Sequence, residues 1–266
     1  MYDVIIIGAG MAGLTAAIYT KRAGKSVLII ENKVCGGQIV NSLMIGNWPG
    51  ESKISGTDLM KRIQQQAIKL GTEIRYEEVI SIEESAEFAT TNDAKNAVRK
   101  LWSVKTDEME YMAKTIIIAT GTEPRKINAK QAKSAGKRPI SYCATCDGAL
   151  YKNKPVVVIG SGNTAKHEIK YLENIASKVY HIHHDELIPE EAEAVFVAIG
   201  RVPATGMCKN LLDLDENGYI IAGEDCKTSR PGIFVAGDCR TKNVRQLVTA
   251  AADGAAAAGA VIDFLT

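Results

Sequence analysis

The opening of this chain constrains it most: the apolar run Val4 to Ile7 leads straight into Gly8-Ala-Gly10-Met-Ala-Gly13. A strand that turns at once into a helix needs one glycine for the tight turn. It needs a second to let the backbone approach a pyrophosphate, and a third for close helix–strand packing. A helical pattern then runs to Ala23, Gly24 punctuates its end, and Ser26 to Ile30 reads as a second strand leading to Glu31. A carboxylate there is placed to bind both ribose hydroxyls of a dinucleotide, while the helix N-terminus supplies positive potential for the phosphates. The uncharged stretch Val4 to Thr20 is therefore strand, turn and helix, not a membrane span, because three glycines interrupt it.

The same order recurs later. Val156 to Ile159, Gly160-Ser-Gly-Asn-Thr-Ala165, a helix to about Ile175 and a strand Lys178 to Ile182 repeat the strand, glycine turn, helix and strand. The expected fold class is α/β with two Rossmann-like nucleotide-binding domains. The second is truncated, since a segment is trimmed between Ile188 and Val195. Between the two, a helix Thr57 to Leu70, an antiparallel meander from Glu73 to Thr106 and a strand Thr115 to Ala119 are predicted. Afterwards Ala194 to Ile199, Tyr219 to Ile221 and Ile233 to Ala236 read as strands, and the alanine-rich Gln246 to Phe264 as a closing helix that returns to the first domain. The domain reading is residues 1–124 with 199–266, and residues 125–198.

The chain has 266 residues, ample for a core, and a formal net charge of +1, which removes the broad electrostatic case for nucleic acid or an anionic membrane as partner. Met-Tyr-Asp carries no basic n-region and no cleavage-type small residues follow, so the expected setting is a reducing cytoplasm. Six cysteines in that setting are not a disulfide framework, and Cys35, Cys208, Cys226 and Cys239 read as small buried residues. Only Cys143-Ala-Thr-Cys146-Asp147-Gly148 has a close spacing. It can close a small reversible disulfide, with Asp147 beside it to exchange the proton that dithiol chemistry requires. Zinc would want a second cysteine pair or regularly spaced histidines, and His181, His183 and His184 do not supply them, so no metal is expected. No cysteine run for an iron–sulfur cluster exists.

These pieces, together with Gly36-Gly37-Gln38, Asn47-Trp-Pro-Gly50, Ala119-Thr-Gly121, Ser141-Tyr-Cys-Ala-Thr-Cys-Asp-Gly148, Val197-Ala-Ile-Gly200, Gly232-Ile-Phe-Val-Ala-Gly-Asp238 and Arg245-Gln246, resemble the low-molecular-weight thioredoxin reductases over nearly the whole chain. Those are two-domain disulfide reductase flavoproteins. The resemblance implies FAD held by Gly8, Ala9, Gly10, Met11, Ala12, Gly13, Glu31, Asn32, Gly37, Gln38, Asn47, Val79, Ala119, Thr120 and Gly121. It adds Gly237, Asp238, Arg245, Gln246, Leu247 and Ala250 from the C-terminal return. It also implies that Cys146 faces the flavin, that Cys143 attacks the thioredoxin disulfide, that Asp147 is the general acid, and that the protein is a homodimer.

One stretch departs from the family. Where those enzymes carry an arginine pair for the NADPH 2′-phosphate, this chain reads His181-Ile-His183-His184-Asp185-Glu186. Fixed cations are lost, and a carboxylate beside a 2′-phosphate is repulsive. The sequence is similar to the ferredoxin-dependent flavin thioredoxin reductases, which keep FAD and the dithiol but lack pyridine-nucleotide motifs. Electrons would then pass from ferredoxin through FAD and Cys143–Cys146 to thioredoxin. Two alternatives stay open: an NAD(P)H-dependent enzyme with Asp185 as ribose ligand, and a non-catalytic flavin redox sensor. Lys126, Lys130, Lys133, Lys137 and Arg138, with no acidic neighbour among them, form a candidate patch for an acidic ferredoxin or for thioredoxin, against the plainer reading of a solvated linker.

Overall fold

A computed structural model describes residues 1–88, 99–183 and 185–266, which form two compact units: Met1–Thr122 with Pro203–Thr266, and Glu123–Val202. The first unit starts with β1 (Tyr2–Ile7), α1 (Met11–Arg22) and β2 (Val27–Glu31), followed by α2 (Gly56–Lys69) and β3 (Glu73–Tyr76). Then come β4 (Val79–Phe88), β5 (Arg99–Thr106) and β6 (Glu110–Ile118). The strands lie in the order β3-β2-β1-β6-β5-β4. β1 is parallel to both β2 and β6, with Ile7 opposite Ile30 on one side and Ile118 on the other. Successive residues of β1 feed opposite faces: Val4 and Ile6 join the core under α1 and α2, Ile5 and Ile7 the core around Trp102 and Val104. A strand buried on both faces reads as an unbroken apolar run, which is why Val4 to Ile7 shows no alternation.

The meander is shorter at its front than the sequence suggested. Glu73–Tyr76 pairs parallel with β2, and antiparallel pairing begins only at Val79. A four-residue strand carries too little pattern to declare its direction, and chain reversal at residues 77–78 decides it. Residues 89–98 of the expected meander lie outside the described residues.

The second unit is reached through β7 (Thr122–Pro124), which pairs with the returning β12 (Arg201–Pro203). Between them lie α3 (Ala129–Ala135), β8 (Ile140–Ser141), α4 (Ala144–Asp147), β9 (Pro155–Ile159), α5 (Asn163–Leu172), β10 (Lys178–Ile182) and β11 (Ala194–Val197). The sheet is parallel throughout, in the order β10-β9-β11-β8. Here too alternate residues of β9 enter different cores, Val157 and Ile159 in one, Val156 and Val158 in the other. α5 stops at Leu172 and not near Ile175; residues 173–175 form a turn in which the Asn174 and Ile175 N–H groups donate three residues back, to the Tyr171 and Leu172 carbonyls.

The chain then rejoins the first unit. Tyr219–Ile221 forms no strand; Ile220 makes only single bridges, to Leu214 and Arg240. β13 (Ile233–Val235) pairs with residues Ile116 to Ile118 of β6, whose earlier part pairs with β5. α6 (Leu247–Leu265) closes the fold against α1. A Cβ at Gly254 would lie 2.3 Å from the Ala12 carbonyl oxygen, so glycine sets how closely the helices meet. α6 is long and apolar enough to cross a membrane, yet it carries the buried Asp253, which pairs with Arg240 and Lys242.

Candidate functional site

In the first unit the glycine turn is built by close approach. Gly8 takes φ +105°, and a Cβ there would lie 2.5 Å from the Ala119 carbonyl oxygen; one at Gly13 would lie 2.0 Å from Gly8 O. Gly10, which caps α1, differs: a Cβ on it would meet nothing within 4 Å, so the space in front of the helix N-terminus is open. That open cradle of backbone N–H groups suits a pyrophosphate. Around it stand Gly37, whose own Cβ would reach Gly10 Cα at 3.6 Å, and Ala119, whose N–H donates to Ile7 O at 2.8 Å.

Glu31 does more than wait for a ribose. Ala9 N–H donates to its Oε2 at 2.8 Å and Lys33 N–H to its Oε1 at 2.9 Å, so one buried carboxylate ties the glycine turn to the loop after β2. Asn32 follows it, exposed. Met11 and Ala12 are buried in the first turn of α1, and Leu247 and Ala250 pack half-buried on the same core from α6. Asn47 donates to Gln246 Oε1 at 3.3 Å, and Gln246 in turn caps α6 with Thr249 in a reciprocal box. Val79 is buried in the other core. Gly121 is open to solvent on its Cβ side, next to Thr120.

Arg245 stacks 4.2 Å from the centre of the Tyr219 ring and donates to the carbonyls of Asp238, Arg240 and Lys242, holding the turn that carries Asp238. Beside it lies a cluster the sequence reading missed. Asp253 Oδ2 accepts from Gly237 N–H at 2.9 Å, and its carboxylate pairs with Arg240 and Lys242, all three nearly sealed from solvent. Burial raises the Asp253 pKa, but the hydrogen bonds from Arg240 and Lys242 outweigh it and hold the carboxyl below its ordinary range. The signal was available: an aspartate in the middle of an alanine-rich helix.

In the second unit Cys143 and Cys146 form a disulfide with Cα atoms 5.3 Å apart. Cys143 caps α4, whose first turn is closed by Cys146 and Asp147 N–H groups donating to the Cys143 carbonyl. Ser141, at the end of β8, links the pieces: its hydroxyl donates to Asp147 Oδ2 at 2.6 Å and accepts from Cys143 N–H at 3.1 Å. Sequence reasoning assigned Asp147 but not the serine that orients it. Cys146 is exposed and Cys143 half-buried. The other four cysteines are buried and free; burial pushes the Cys35 and Cys226 thiols up to about 11 and Cys208 up to about 12, leaving them poor nucleophiles. Among the described residues no group of three or more His, Cys, Asp or Glu side chains is arranged to hold a metal.

The second glycine turn copies the first in form. Gly160 has φ +148° with a would-be Cβ 2.4 Å from Ala198 O, and Gly162 caps α5 with open space before it. The end of β10 departs from the first unit. Ile182 lies opposite Ile159 as Ile30 lies opposite Ile7, so the residue at the position of Glu31 is His183, not Asp185. His181 Nε2 donates to the Gly160 carbonyl oxygen at 2.6 Å, and Glu186 folds back to accept from His183 N–H at 2.9 Å. His184 lies outside the described residues. Of the basic stretch, Lys126, Lys130, Lys133 and Lys137 are exposed. Arg138 differs from the lysines: it is half-buried and its guanidinium donates to the carbonyls of Ser134, Ala135, Glu190 and Ala192, so it braces the end of α3 against the loop between β10 and β11.

The Pyridine nucleotide-disulphide oxidoreductase family matches residues 2–191 and 185–255. A thioredoxin reductase of Listeria monocytogenes is 35% identical over 96% of this chain and 91% of its own length. The crystal structure of thioredoxin reductase from Streptococcus pyogenes superposes with a TM-score of 0.87 at 33% identity, covering 100% of this chain and 98% of that one. A ferredoxin-flavin thioredoxin reductase from Clostridium acetobutylicum gives 0.59 at 26% identity, over 99% and 97%.

Proposed function

This chain belongs to the pyridine nucleotide-disulphide oxidoreductases, as a thioredoxin reductase homologue with FAD as cofactor, and we propose that its electrons come from reduced ferredoxin and not from a nicotinamide. In this reading the unit Met1–Thr122 with Pro203–Thr266 holds FAD and the unit Glu123–Val202 carries the dithiol. The first glycine turn, Glu31, Gly37, Gln38, Asn47, Val79 and Ala119 to Gly121 hold the cofactor together with Gly237, Asp238 and the start of α6; the open space at Gly10 fits its pyrophosphate. FAD supplies the ability to collect single electrons and release a pair.

The observation that carries the donor is the end of β10. A run without lysine or arginine, His183, Asp185 and Glu186, stands where a 2′-phosphate would need fixed cations, and the position of the ribose-binding carboxylate holds a histidine. Energetics permit the alternative: a ferredoxin near about −400 mV feeding a thioredoxin near about −270 mV releases about 6 kcal/mol per electron pair.

At the dithiol, two electrons break the Cys143–Cys146 bond. Cys143 thiolate then attacks a thioredoxin sulfur; the other thioredoxin sulfur leaves and takes a proton, for which Asp147, aligned by Ser141, is the acid. Cys146 next attacks Cys143 in the mixed disulfide, restoring the bond and freeing the second thioredoxin thiol. The test is anaerobic flavin bleaching with NADPH, NADH and reduced ferredoxin in turn, followed by thioredoxin reduction. Bleaching only by ferredoxin supports the reading. The open Gly162 turn favours a second reading, a residual nicotinamide site, and comparable bleaching by NADH or NADPH would establish it. Bleaching without multiple turnover of any thioredoxin would point to a redox sensor.

A further inference from the structure

Behind the dithiol turn lies a carboxyl that the reaction above does not use. Glu168 sits on α5 one turn before Leu172, on the side that packs against α4. There a Cβ on Gly148 would stand 3.1 Å from Leu172 and 3.2 Å from Tyr171, and Ala144 shares a core with Leu172 and Ala165. The Glu168 carboxyl accepts the N–H of Ala144, the residue between Cys143 and Thr145. Its Oε2 is closed to solvent and has no hydrogen-bond partner among the described residues. The charged groups facing it are Asp147, from the dithiol turn, and Arg201, from β12.

We propose that Glu168 is a positioning residue of the dithiol, a proton-linked carboxyl that acts through the Ala144 N–H and alongside Asp147 to set how readily Cys143 becomes a thiolate. The inference rests on Cys143–Cys146 being the working dithiol. A carboxylate oxygen shut away without a donor is costly when charged, and protonation removes that cost. Burial accordingly pushes the Glu168 pKa up to about 7, outweighing the Ala144 N–H and Arg201, with Asp147 adding to the rise. Below that pH the turn carries a neutral group at this place; above it, a negative charge that opposes a sulfur anion nearby. The electron count of the thiol exchange is unchanged. Reduction adds two electrons and two protons to give two thiols, and where one sulfur stays a thiolate, Glu168 is a site for the proton that sulfur lacks.

The experiment alkylates the flavin-loaded enzyme, reduced with dithiothreitol, using iodoacetamide from pH 5 to 9, and reads the rate at Cys143 by peptide mass spectrometry. The wild-type profile should show, besides the inflection of the sulfur itself, a second one near pH 7. Glu168→Gln keeps an acceptor for Ala144 N–H but no charge; it should lose that inflection and react about three-fold faster above pH 8. Asp147→Asn should keep the inflection. A single inflection in the wild-type protein overturns the proposal without recourse to a variant, as does its persistence in Glu168→Gln. Because dithiothreitol replaces the electron donor and no thioredoxin is present, a wrong donor assignment leaves this result untouched. Failure of dithiothreitol to open Cys143–Cys146 would instead strike at the dithiol reading itself.

Discussion

Two glycines of one turn separate folding from binding at single-residue resolution. A Cβ at Gly13 has 2.0 Å to the Gly8 oxygen, so Gly13→Ala should push α1 off β1 and give insoluble or flavin-free protein. Gly10→Ala meets no protein atom within 4 Å, so its urea midpoint in the flavin-free state should match wild type while FAD affinity, read by fluorescence titration, falls at least about ten-fold. Equal damage by both substitutions would mean that the space before Gly10 is not the phosphate cradle. Asp253 makes a similar argument for charge. Asp253→Asn leaves Arg240 and Lys242 sealed in without their anion, at an expected cost of about 3 to 5 kcal/mol in denaturant unfolding. The sign with pH follows from the lowered folded-state pKa. The contribution of Asp253 is present above the ordinary carboxylate range and is lost as pH falls through the folded value, so the variant and wild type should converge in acid. Glu168 has the opposite sign. With a folded-state pKa raised to about 7, its charge costs nothing at pH 4 and its full amount at pH 8, so Glu168→Gln should gain stability relative to wild type across that interval.

Among the elements, α3 and β10 carry the partner question. α3 presents Lys130 and Lys133 to solvent, while Arg138 just beyond it is spent on backbone carbonyls. Reversing Lys130 and Lys133 to glutamate should therefore lower ferredoxin-driven turnover at low salt and flatten its dependence on ionic strength, without unfolding the unit. An unchanged salt dependence would return α3 to the status of a solvated connector. β10 and β2 show how one architecture diverges by side chains alone. Both run parallel beside the strand that leads into their unit's glycine turn, with the same register, and both receive the N–H of the first glycine on an isoleucine carbonyl near the strand end: Gly8 on Ile30 and Gly160 on Ile182. One then offers a carboxylate engaged by the turn, the other an imidazole two residues earlier that binds Gly160 O.

At the scale of the whole molecule, two glycine-turn units share one chain; on the proposed reading they divide the chemistry, and a single substitution should separate their contributions. Cys146→Ser should leave flavin bleaching by the donor intact while abolishing thioredoxin reduction under multiple turnover; retained turnover would remove Cys146 from its role. Much of this division was legible without coordinates. The first unit's strand, turn and helix, the repeat of that order, the burial of four scattered cysteines and the pairing of Cys143 with Cys146 all rest on local rules, namely glycine sterics, helix and strand periods, and short spacing. The direction of β3, the absence of a strand at Tyr219–Ile221, the bracing role of Arg138 and the Arg240–Lys242–Asp253 cluster were not. Each depends on which distant backbone or side-chain groups are brought within about 3 Å, and residues far apart in the chain carry no local pattern that announces their meeting. The sequence by itself determined which glycine turns form and that Cys143 and Cys146 can pair. Tertiary structure alone decided that Glu168 lies behind the dithiol, because helix packing is settled only when the sheet is assembled.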